Sequence, residues 1–151
     1  MARLPYATQT QFAELMHRSG LPESTPVANA FRILAHSQNI GAATLQLVLA
    51  LLTETVLDPQ LRELVILHAA QRCNGQYAGV QHVAIARQVG VSDAQIAALE
   101  RGETPRVLFD QQERTALAFA DEFLDTCNVA DAHSQRSTGC FLLPNLWNYC
   151  C

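Results

Sequence analysis

A carboxylate, a phenol and an imidazole, those of Glu63, Tyr77 and His82, fall within one stretch, ELVILHAAQRCNGQYAGVQH, whose other residues read mostly as the interior of a helical hairpin. Burying a carboxylate or an imidazole costs free energy unless the group is paired or used, so such groups among apolar neighbours mark a candidate site. Imidazole titrates nearest neutral pH, which makes His82 the candidate general acid or base. Glu63 would orient it or shuttle its proton, and Tyr77 could donate a hydrogen bond to a developing oxyanion. Each also has a structural counterpart. A histidine on an apolar face is commonly a satisfied core residue, a glutamate can pair with an arginine across an interface, and a tyrosine at a helix start packs its ring and wets its hydroxyl. His36 and His68 are read as structural or surface residues. Arg62, Arg72 and Arg87 are the nearest positive groups for an anionic substrate.

The elements that must position these groups are all helical. Thr8 or Thr10 can cap a first helix carrying Phe12, Leu15 and Met16, closed by Gly20 and Pro22. Thr25 followed by Pro26 opens a second through Leu34, since proline suits the first helical position. A third, from Ala42 to Thr53, is almost wholly apolar. Asp58 with Pro59 repeats the cap-then-proline signal for a fourth helix ending near Cys73, Asn74 and Gly75. The fifth runs from Gln76 to Val89, stopped by Gly90. Ser92 with Gln95 and Asp110 with Glu113 read as capping boxes for two more. The fourth helix is apolar all round, the pattern of a central, buried helix. On it Glu63 shares a face with Ile66, Leu67 and Ala70, so folding back across the Asn74-Gly75 turn would bring Glu63 and His82 into one desolvated hollow. The expected fold is an all-α, single-domain bundle of about seven helices with short loops.

Composition narrows the function classes. A chain of 151 residues, 49% hydrophobic, can bury about 70% of the surface its unfolded form exposes, enough for one core. With a formal net charge of -4 and ten scattered Lys and Arg, no basic stripe for nucleic acid forms. The longest apolar run, Leu45 to Leu52, is too short to span a bilayer, and the N-terminus has no apolar signal region, so a cytoplasmic protein is expected. Five irregularly spaced cysteines without a CxxC indicate neither a disulfide framework nor a zinc site. Cys73 reads as a small buried hydrophobe. No metal or cofactor is expected.

The chain resembles the carboxymuconolactone decarboxylase family, which includes the alkyl hydroperoxidase D thiol reductases. The resemblance runs from about Leu4 to Asp131 and rests on the segment Phe31-Arg32-Ile33-Leu34-Ala35-His36-Ser37, the Arg62-Glu63-Leu64 entry, the Tyr77 and His82 pair, and Gly90-Val91-Ser92 followed by Ile96 and Leu99. In the thiol-reductase branch a glutamate is followed twelve residues later by the first cysteine of a CxxC, and a histidine comes four after the second. Here Glu63 and His82 fall in place, but Gly75 and Ala78 occupy the thiol positions. A dithiol peroxidase needs an attacking thiolate and a resolving thiol, so hydroperoxide reduction is disfavoured.

What the resemblance implies instead is the decarboxylase branch: loss of CO2 from a small carboxylated lactone of aromatic-compound degradation, by a lyase with Glu63, Tyr77 and His82 at its site. It also implies an alkyl hydroperoxidase D-like fold and a homo-oligomer, trimeric or hexameric, to which the apolar Ala42 to Leu52 segment would contribute buried surface. The alternative is a non-catalytic oligomeric scaffold that binds a small ligand. Residues 1–132 form the expected helical domain. Residues 133–151 are an atypical tail, whose last twelve residues, CFLLPNLWNYCC, hold three of the five cysteines and are broken by Pro144. That tail reads as a divergent or frame-shifted end, expected either to hang loose or to pack on a neighbouring subunit.

Overall fold

The computed structural model describes residues 4–25 and 28–127. Among them seven helices follow in order, with no strand: α1 (Gln9–Arg18), α2 (Asn29–Leu34), α3 (Gln38–Thr53), α4 (Pro59–Arg72), α5 (Gln76–Gln88), α6 (Asp93–Glu100) and α7 (Gln111–Thr126). No helix among the described residues is long and apolar enough to cross a membrane.

Reciprocal caps set three of the starts. Thr8, Ser92 and Asp110 each accept a hydrogen bond from the backbone N–H three residues on, and Gln11, Gln95 and Glu113 reach back to the cap's own amide. Asp58 caps α4 through the Leu61 N–H, with Pro59 in the first turn. Two starts differ from the sequence expectation. The second helix begins at Asn29 behind Ala28, which offers no side-chain cap, while Thr25 sits in a turn bonded to the Pro22 carbonyl; Pro26 lies outside the described residues. The third begins at Gln38 rather than Ala42, behind Ser37, whose side chain makes no cap bond, so nothing local announces it. The expected tail from residue 133 also lies outside the described residues.

The helices gather into two compact units, one ending at Thr55 and one beginning at Val56. In the first, Phe12, Leu15 and Met16 of α1 pack with Ala35, Ala42 and Leu45. A Cβ on Gly41 would lie 2.7 Å from the Leu34 carbonyl oxygen and 2.9 Å from Leu15 Cδ1, so only glycine lets α3 approach this closely. In the second, α4 packs against α5, α6 and α7 at once. Leu64, Leu67, Ala86, Val91, Ile96, Leu99, Phe109 and Leu117 form its core. Each fully buried leucine there contributes about 1.5–3 kcal/mol. The turn from α5 to α6 requires Gly90, whose φ of +100° would strain any side chain. This central position of α4 is what buries two of its polar residues, Glu63 and His68, among other helices.

Candidate functional site

Glu63 is the one carboxylate among the described residues with no exposed surface at all. It lies one turn into α4, and its burial is tolerable because both oxygens are engaged: Oε2 with His82 Nδ1 at 2.7 Å and Oε1 with Arg62 Nε at 3.2 Å. An ionised carboxylate only accepts, so Nδ1–H of His82 donates and Nε2 becomes the ring's free nitrogen. His82 sits on α5 with 23% of its side chain exposed, and Nε2 has no hydrogen-bond partner among the described residues. The structure thus joins Glu63 and His82, as the hairpin folding predicts, across nineteen residues of chain. Such a pair fixes the tautomer and orientation of the imidazole and offers a nitrogen to a proton donor or acceptor outside.

Tyr77 is placed differently. It is half-exposed, and its five-residue separation from His82 turns it about 140° around α5. The three arginines considered for an anionic substrate are all on carboxylates: Arg62 on Glu63, Arg72 on Asp121 and Asp125, and Arg87 on Asp93. His36 is exposed and its Nε2 lies 2.9 Å from the Pro5 carbonyl oxygen, a structural contact.

Two residues are placed more sharply than the sequence reading places them. Of the structural and surface readings of His68 the structural one fits: it is buried, and its Nε2 lies 2.7 Å from Asp121 Oδ1 on α7, while its Nδ1 is buried without a partner. The only hint was its helical spacing to Leu64 and Val65, because the partner stands 53 residues away. Cys73 corrects the expectation of a buried hydrophobe. It is exposed, because it forms the C-cap at which α4 unwinds and the chain turns out through Asn74, whose φ is +53°.

A cavity of about 490 Å³ opens between α4, α5 and α6, floored by Leu67, Val83, Ile96 and Leu99. Neither Glu63 nor His82 lines it, so the expected single hollow resolves into a buried ion pair and a separate cavity on the same helix hairpin. Gly75 does line it.

Among the described residues, no group of three or more His, Cys, Asp or Glu could hold a metal ion. Compared with known proteins, the chain matches no curated protein and no solved structure. The model of the carboxymuconolactone decarboxylase family matches residues 38–122, from the first residue of α3 into α7, more than half of the chain and including both Glu63 and His82. Seven helices with no strand among the described residues and a match of that extent place this chain in the carboxymuconolactone decarboxylase family.

Proposed function

We propose that the protein is an acid–base lyase that decarboxylates a small carboxylated lactone of aromatic-compound degradation, with His82 as the proton-transfer group. The observation that carries this is the 2.7 Å bond from His82 Nδ1 to the buried Glu63, which leaves Nε2 as the ring's working nitrogen. In such a reaction the bond from the substrate's α-carbon to its carboxylate breaks, CO2 departs, and the electron pair passes into the conjugated carbonyl. A protonated His82 then delivers its Nε2 proton to that carbon and recovers one from solvent. Glu63 stabilises the imidazolium that precedes proton delivery and is restored afterwards, an electrostatic role that gains strength from exclusion of water. Tyr77 is left as a candidate donor to the carbonyl oxygen, with no proton-transfer step of its own.

A homo-oligomer working in the cytoplasm is part of the same proposal. Ile40, Leu47 and Leu51 form an outward stripe on α3, 66%, 60% and 52% exposed, which a further copy would cover. The non-catalytic scaffold is favoured by one observation, the Arg62 contact that completes the charge balance of Glu63 without any substrate. The two separate on one experiment. CO2 release from a panel of carboxylated lactones should fall about 100-fold or more in His82→Ala while the protein still folds. Unchanged release, or none from the unmutated protein, would leave the scaffold.

A further inference from the structure

The cavity between α4, α5 and α6 is left unused by the acid–base proposal, and its walls are chemically selective. Its floor is aliphatic, and the residues with polar side chains that line it are Gln71, Asn74, Gln76 and Glu100. Among the described residues that line it there is no Lys, Arg or His. A carboxylate ligand entering it would shed water against apolar walls, meet no cation and face Glu100, a combination that strongly disfavours burial of an anion. Amides donate and accept, and a carboxylate accepts, so a hydroxyl is well served at the same rim. The volume lies within the range typical of small-molecule sites, which bury an apolar body and fix it by a few polar groups.

The wall on the α5 side holds two glycines, Gly75 and Gly79, beside Gln76, Val80 and Val83. Gly79 stands within the helix, where glycine costs about 1 kcal/mol relative to alanine, yet a Cβ there would meet nothing within 4 Å. No close packing calls for its small size, and Gly79 is itself among the residues that line the cavity, where a side chain has open space to occupy. Gly75, at the N-cap, would bring its Cβ only into ordinary contact with Ala70.

We propose that this cavity is a binding site for an uncharged small molecule with an apolar body and one hydroxyl-bearing end, and that it rejects carboxylates. It is a site apart from His82, and its ligand is therefore not the carboxylated substrate of the proposed reaction. Titration calorimetry on the full chain with 2-naphthylmethanol and 2-naphthoate tests this, because the two probes share a body and differ at the end. The alcohol should bind at submillimolar concentration and the carboxylate at least tenfold more weakly. Gly79→Leu, a better helix former, should abolish alcohol binding while leaving the far-ultraviolet circular dichroism unchanged. Glu100→Lys, at an exposed position, should improve naphthoate affinity at least fivefold. His82→Ala should leave alcohol affinity within twofold, so the result stands or falls independently of catalysis. Equal affinity for the two probes, no alcohol binding, or alcohol binding that survives Gly79→Leu would each overturn the assignment.

Discussion

Helix α4 carries two histidine–carboxylate pairs of opposite polarity. At Glu63 and His82 the carboxylate is fully buried and the imidazole reaches the surface; at His68 and Asp121 the imidazole is buried and the carboxylate is 36% exposed. The first pair turns an imidazole outward. The second points a carboxylate outward and then covers it with Arg72, which bridges Asp121 at 2.6 Å and Asp125 at 2.5 Å. Nearly the same bond length, 2.7 Å in both, therefore supports two different uses, and which partner is buried decides between them. The imidazole of His82 is the one open to a ligand, as the proposed reaction requires, whereas that of His68 is buried and ties α4 to α7.

Substitutions should separate the two pairs, and the largest effect belongs to Glu63. Glu63→Ala leaves Arg62 and His82 facing an apolar hole and should cost about 3–5 kcal/mol of stability, read by urea denaturation, with turnover lost as well. His82→Ala comes next. It should reduce turnover by about 100-fold but stability by only roughly 1–2 kcal/mol, since Glu63 keeps its arginine. His68→Ala should show the converse, a loss of about 2 kcal/mol with turnover per folded molecule intact. A turnover loss there matching that of His82→Ala would erase the distinction. Arg72→Ala should be the mildest, about 1 kcal/mol or less, because its ion pairs are more than one-third exposed and screened by solvent.

What the sequence made legible follows from how local each signal is. Thr8, Ser92, Asp110 and Asp58 announce their helices because a cap and its amide lie within three residues. The Glu63–His82 pair is also legible, since one turn at Asn74 and Gly75 fixes the antiparallel register of α4 and α5. His68–Asp121 is not, because α4 and α7 are separated by two further helices and only packing brings them together. The start of α3 at Gln38 escaped for another reason: it depends on Gly41 seating against Leu34, a contact no local pattern encodes. Cys73 was misjudged by continuing the apolar pattern of α4 one residue past its last turn.

The central claim is that Glu63 holds His82 by Nδ1 and leaves Nε2 to work. Long-range 15N–1H correlation spectra of the imidazoles, assigned with His82→Ala and His68→Ala, test it directly. Opposite neutral tautomers are expected, with the proton on Nδ1 in His82 and on Nε2 in His68. A His82 ring carrying its proton on Nε2 would contradict it, since Glu63 would then not be the acceptor that orients the ring.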